Sequence, residues 1–203
     1  MDNTDNLPGR LTCIEKEEYI EFKSYKEANN YGYKRYKEWA EKYKEIVKIT
    51  GLDVVSDYAG FSHRQYNNAL RTENKNAYID AKCEVLKYVI ASAPTLGRNL
   101  VLYRSCCEEE VCDTLTIDVN GAPIIDKGFL STSLLFSEMQ NQNYKNILKI
   151  YASSATHAIY MAPISGRTEC EVLIYPENHK LISAAPYIKG EYTIYECLLV
   201  TKK

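Results

Sequence analysis

The chain changes its apolar period once, near Asn99, and that single change limits what it can fold into. Ahead of it, apolar residues recur every three or four positions. No proline interrupts the stretch from Ile14 to Thr50, where Tyr36, Trp39, Ala40, Tyr43, Ile46 and Val47 fall along one stripe of a helix. Glu38 and Lys42 lie four apart on the wet side, and Gly51 reads as the glycine that ends it. Ser62-His63-Arg64-Gln65 reads as a capping box, with Ser62 as N-cap and Gln65 reaching back, opening a short helix with Tyr66, Ala69 and Leu70. Ile79, Cys83, Leu86 and Ile90 predict a further helix over 78–91, stopped by Ala93-Pro94. Beyond Asn99 the pattern turns to alternation and short apolar runs. Strands are predicted over 100–104, 128–134, 147–151, 158–161, 170–175 and 194–201, with loops rich in Asn, Gly, Pro and Ser between them. Helices gathered ahead of strands predict an α+β fold, an antiparallel sheet system with helices packed to one side.

Composition narrows the function classes. A chain of 203 residues is expected to form one domain, or one domain with a helical appendage, long enough to bury its own core without staples. A net charge of −2 gives no electrostatic case for nucleic acid or an anionic membrane. No apolar run approaches the roughly 18 residues of a membrane span, and the N-terminus has no secretion pattern. Seven cysteines beside only three histidines, with no second paired motif, read as free thiols in a reducing compartment, so no metal is expected.

Residues able to do chemistry stand in three places. Arg104 ends a strand. Gly128-Phe129-Leu130-Ser131-Thr132-Ser133 carries two hydroxyls on one strand face, Ser131 and Ser133. In Arg167-Thr168-Glu169-Cys170-Glu171, the run from Cys170 to Tyr175 favours a strand whose Cys170, Val172 and Ile174 share one face. Glu169 and Glu171 share the other, roughly 7 Å apart along the strand. Gly166 places the first of them in a turn and the second at the strand mouth. Alone, the pair reads better as a solvated strand face carrying two charges than as a site.

The order Arg, Ser-Thr-Ser, Glu-x-Glu resembles the signature of NAD-dependent mono-ADP-ribosyltransferases, in the branch of clostridial binary-toxin enzyme components and Rho-modifying exoenzymes. Asp57-Tyr58-Ala59-Gly60-Phe61-Ser62 and Tyr66-Asn67-Asn68-Ala69-Leu70-Arg71 are similar to two further motifs of that family, and Ala28, Gly32, Tyr36 and Trp39 to a helix of its N-terminal lobe. The resemblance implies one catalytic domain over 1–203, with a helical lobe over 14–98 and a β-rich NAD-binding core over 99–203. In it two antiparallel β-sheets pack across each other around an NAD cleft. By the same resemblance Glu171 is the catalytic carboxylate, which steadies the positive charge that builds on the ribose as nicotinamide leaves. Ser131 is the important serine, Thr132 points into the fold and Ser133 is secondary. Arg104 offers a planar fork of donors to the pyrophosphate, or else pairs with one of Glu108 to Glu110. Tyr58 and Asn67 line the adenosine side, and Phe136 either stacks on the ligand or packs in the core. Arg167, Thr168 and Glu169 belong to a substrate-recognition turn that lacks the aromatic many members carry. Within the family a Glu at the position of Glu169 accompanies arginine modification, whereas Gln accompanies asparagine modification. A guanidinium with a pKa above about 12 needs a carboxylate beside it to orient it and take its proton.

The expected enzyme is therefore a monomeric arginine-directed ADP-ribosyltransferase with NAD as co-substrate. It would be a secreted or delivered bacterial toxin acting in a host cytosol, with actin, a small GTPase or another host protein as target and a separate translocation partner for entry. Two rivals stand beside it: an NAD glycohydrolase with water as acceptor, and a catalytically silent domain that binds a nucleotide or partner. A retaining glycoside hydrolase fits poorly, because its carboxylates must flank a sugar bond from opposing sides.

Overall fold

The computed structural model describes residues 16–42, 44, 52–72, 76–116, 124–141 and 143–201. Helix α1 (Tyr25–Lys42) opens on Ser24, whose hydroxyl accepts from the Glu27 amide at 3.3 Å and donates to its carboxylate at 3.0 Å. Its inner stripe runs through Ala28, Tyr36 and Trp39, of which Ala28 and Trp39 are buried. A side chain at Gly32 would run into the Tyr160 ring, so only glycine lets the helix lie this close to the sheet. Glu38 pairs with Arg35 at 2.5 Å. Tyr43, Ile46, Val47 and Gly51 lie outside the described residues.

Helix α2 (Leu52–Asp57) leads into a turn (Tyr58–Ser62) kinked at Gly60, whose φ −79 and ψ −107 are not helical, and then into α3 (His63–Arg71). The structure overturns the expected capping box at Ser62. Ser62 keeps helical backbone angles and makes no side-chain cap; its hydroxyl donates to Asp57 Oδ1 at 2.7 Å. A cap normally sits in the extended region, and the helical angles of Ser62 take its side chain away from that role. Helix α4 (Ala77–Ser92) is capped instead by Asn76, whose Oδ1 accepts from the amides of Tyr78 and Ile79 at 3.1 and 3.2 Å.

The strands follow as β1 (Leu100–Cys106), β2 (Leu130–Ser133), β3 (Asn146–Ala152), β4 (Ala158–Tyr160), β5 (Glu171–Ile174), β6 (Asn178–Ile182), β7 (Tyr187–Lys189) and β8 (Tyr192–Thr201). Helix α5 (Glu108–Leu115) leaves β1, a 3-10 segment (Phe136–Asn141) follows β2, and the short α6 (Ala162–Ser165) follows β4. Strands β6 and β7 and helix α5 were not expected. Each is short and polar, and their pairing comes from β8 and the body of the fold.

The α+β architecture is as expected. The strands join in one hydrogen-bonded path, β4-β5-β2-β1-β3-β8-β6 with β7 on β8, where two sheets were expected, and β3 and β8 run parallel. The path is pinched at one point. Strands β1 and β3 pair from Leu100↔Ala152 to Cys106↔Asn146, but β1 meets β2 only at Tyr103↔Ser133. Helices cover the β4-β5-β2 half, where Trp39, Tyr66, Leu86 and Ile90 pack on Phe129, Ile159, Met161 and Leu173.

Candidate active site

A cleft of about 700 Å³ lies along the pinched seam, within the usual range for small-molecule and cofactor sites. One sheet face explains why it forms here. In the β2–β5 ladder Ser131 stands opposite Leu173 and Ser133 opposite Glu171, and residues opposite one another share a face. Under the helices that face presents Phe129 and Leu173 to the core. Toward the seam it presents Ser131, Ser133 and Glu171 to the cleft. The alternate residues, Thr132 and Val172, turn into the fold, where the Thr132 hydroxyl donates to the Val172 carbonyl at 3.0 Å.

The Ser131 hydroxyl donates to Glu171 Oε1. Burial pushes the Glu171 carboxyl above the usual carboxylate range. The Ser131 hydrogen bond works against this, the like charge of Glu169 adds to it, and the positive charges of Arg167 and Arg104 oppose it. Glu169, at the cleft edge, is half exposed, and Arg167 Nη1 lies 3.9 Å from its Oε2. Gly166 makes this turn possible: it closes α6 at φ +68, in the left-handed region.

Arg104 lines the cleft and is already engaged. Its Nε and Nη2 donate to the Glu110 carboxylate at 2.6 and 3.0 Å, and Nη1 donates to the Ser131 carbonyl at 2.9 Å. Burial disfavours its charge, but the Glu110 carboxylate more than offsets that and holds the guanidinium protonated. The pairing with an α5 glutamate is thus the arrangement seen.

Ser133 is buried and committed within the protein. Its hydroxyl accepts from the Leu135 amide at 2.9 Å and donates to Glu138 Oε2 at 2.5 Å. Tyr58 and Asn67 line the cleft, but Asn67 also acts as a strut: its Oδ1 accepts from the Phe129 amide at 2.8 Å and its Nδ2 donates to the Tyr58 hydroxyl at 3.2 Å. Burial pushes the Tyr58 phenol up to about 12. Thr168 stands exposed in the turn and does not line the cleft. Phe136 is a correction. It packs edge-on against Tyr103 and Tyr192, at 5.4 and 6.0 Å between ring centroids, and Lys189 sits 4.0 Å over its ring, so it takes the packing role rather than facing a ligand. The half-exposed aromatic that does line the cleft is Tyr144.

Three contributors were not singled out from the sequence. Glu138 accepts from Ser133 through one oxygen and from the Cys170 amide at 2.8 Å through the other, tying the end of β2 to the residue before Glu171. Arg71 pairs with Asp126 through Nε and Nη2 at 2.9 and 3.0 Å while facing the cleft. Arg64 is exposed at the mouth and makes no hydrogen bond or ion pair among the described residues. A signal for the last two was present: His63, Arg64, Asn67, Asn68 and Arg71 form one polar stripe at helical spacing, opposite buried Tyr66 and Ala69.

The family model described as ADP-ribosyltransferase exoenzyme matches residues 28–185. Among solved structures, the C3 exoenzyme of Clostridium limosum is 20% identical, with a TM-score of 0.69 over 90% of this chain and 97% of that one. C3stau2 from S. aureus, solved with NAD, is 14% identical, with a TM-score of 0.68 over 91% and 100%. The ADP-ribosyltransferase Vis, a toxin from Vibrio splendidus, was solved in complex with agmatine; it is 16% identical, with a TM-score of 0.61 over 96% and 90%. No curated protein sequence matches the chain.

Proposed function

The chain belongs to the ADP-ribosyltransferase exoenzyme family, an NAD-dependent ADP-ribosyltransferase, and from that premise we propose that its acceptor is the side chain of an arginine in a target protein. The observation that carries this reading is the placement of Glu169 and Glu171. One carboxylate is anchored by Ser131 at the cleft floor, and the second is half exposed at the rim.

The roles divide by environment. As the bond between nicotinamide and ribose breaks, its electrons leave with nicotinamide and positive charge builds on the sugar. Glu171, ionised and held by Ser131, stabilises that charge where surrounding protein keeps solvent screening low. Glu169 faces outward, where it can receive an incoming guanidinium and take one of its protons. The pyrophosphate of NAD needs cations: Arg104 supplies one once it exchanges Glu110 for phosphate, and Arg71 and Arg64 stand in the same cleft. Tyr144 offers a ring for stacking. Vis binds agmatine, a small guanidino compound, which supports a guanidino acceptor in a related fold.

We read the physiological target as a host protein with an accessible arginine, such as actin or a small GTPase, reached through a separate delivery partner. No helix among the described residues is long and apolar enough to cross a membrane.

The test compares nicotinamide release from NAD with and without agmatine in Glu169→Gln and Glu171→Gln. Glu171→Gln is expected to lose hydrolysis and transfer together. Glu169→Gln is expected to keep hydrolysis and lose transfer to agmatine; equal loss of both in Glu169→Gln would refute the division of labour.

A further inference from the structure

An arginine acceptor must bring its guanidinium beside Glu169, in the cleft that also holds Glu171. One side chain of this protein is already there. Arg167 lines the cleft, and its Nη1 lies 3.9 Å from Glu169 Oε2. It is also near enough to Glu171 for its positive charge to act on that carboxyl. Arg167 is about half exposed, and its guanidinium forms no other ion pair or hydrogen bond among the described residues. It follows Gly166, whose left-handed conformation makes the chain turn sharply at this point. The other cleft arginines differ. Arg71 and Arg104 are each held by two hydrogen bonds to a carboxylate, on Asp126 and Glu110, and Arg64 stands on helix α3.

We infer that Arg167 is itself an ADP-ribose acceptor: with NAD bound and no target engaged, the enzyme modifies its own Arg167. This rests on the arginine reading above and adds a modification site to it. In the step, the bond between the anomeric carbon of the nicotinamide ribose and the pyridine nitrogen breaks, and both electrons leave with neutral nicotinamide. A guanidino nitrogen of Arg167 forms the new bond to that carbon, and one of its protons passes to the Glu169 carboxylate and on to water. No oxidant, reductant or further co-reactant is required. The product places a pyrophosphate and adenosine on the turn at the cleft mouth, where they obstruct the next NAD. Self-modification therefore switches the enzyme off when no target is present.

The experiment incubates the intact chain with NAD in two arms, one without acceptor and one with excess agmatine, followed by intact-mass measurement and peptide mapping with a fragmentation method that preserves the glycosidic bond. The expected result without acceptor is one ADP-ribose per chain on Arg167, formed at a rate per molecule independent of protein concentration and absent in Arg167→Lys. Agmatine is expected to take the label in its place, and NAD turnover in the acceptor-free arm is expected to slow as the modified fraction grows. Modification of agmatine in its own arm, with Arg167 unlabelled in the arm without acceptor, would overturn this inference and leave the arginine reading intact. Label on another residue that persists in Arg167→Lys, or a rate that rises with protein concentration, would also overturn it. Consumption of NAD with neither agmatine nor Arg167 modified would overturn both.

Discussion

Replacing Ser131 with alanine isolates the contact on which the site depends. The Ser131 hydroxyl donates to Glu171 Oε1, and that bond favours the ionised carboxylate against the burial that disfavours it. A hydrogen bond to a charged group is worth about 1.5–3 kcal/mol. Since each 1.36 kcal/mol is tenfold in rate, full loss lowers kcat/KM for nicotinamide release about 10- to 150-fold. The cleft is open, and a water entering the vacated space replaces part of the bond, so the lower end of that range is expected. The sign of the pH effect follows from the same contact. Glu171 acts as a carboxylate, and losing a donor that favours the charged form raises its pKa further, so the acid limb of the rate profile moves to higher pH. The assay is nicotinamide release under saturating and limiting NAD across the acid limb, with thermal unfolding to confirm that the variant is folded. A loss below about threefold with an unmoved acid limb would refute the argument that Ser131 keeps Glu171 ionised.

Glu171→Gln is expected to stabilise the fold while abolishing activity. The native carboxyl pKa lies above its unfolded value, so the stability associated with its proton is complete below the unfolded pKa and lost as pH rises through the native one. The variant should therefore melt higher at neutral pH, by about 2–4 °C for each kcal/mol recovered, with the advantage vanishing in acid; a lower melting temperature at neutral pH would contradict this. Arg104→Ala should raise KM for NAD with kcat less affected, and Glu110→Gln should lower KM by freeing the guanidinium for phosphate; a KM raised equally by both would mean that Glu110 positions Arg104 rather than competing for it. Asn67→Ala removes the partners of the Phe129 amide and the Tyr58 hydroxyl and should destabilise the chain by about 1–3 kcal/mol in denaturant unfolding; an unchanged midpoint would remove Asn67 as a strut.

Much of this site is legible in the sequence. Alternation along 170–175 placed Glu171 apart from Val172 and Ile174, and the structure keeps that division. That Ser131 and Ser133 share one strand face followed from the same period of two, whereas the inward Thr132 was implied by the family resemblance. Phe136 was not legible, because a phenylalanine after a strand has the same local pattern whether it meets a ligand or Tyr103 and Tyr192. Ser62 misled for a related reason: the capping-box spacing was present, but Ser62 takes helical backbone angles rather than the extended ones typical of a cap.

What the sequence determined by itself was periodicity: which stretches coil, which extend, and which side chains share a face, since these depend on neighbours within a few residues. The tertiary structure alone decided which groups separated by long stretches of chain meet. It set Arg104 against the Ser131 carbonyl, brought Glu138 to the amide of Cys170, and turned the polar stripe of α3 toward the seam between β1 and β2. Those pairings arise because a buried charge or amide must find a partner wherever packing leaves one, and no local spacing records where that will be.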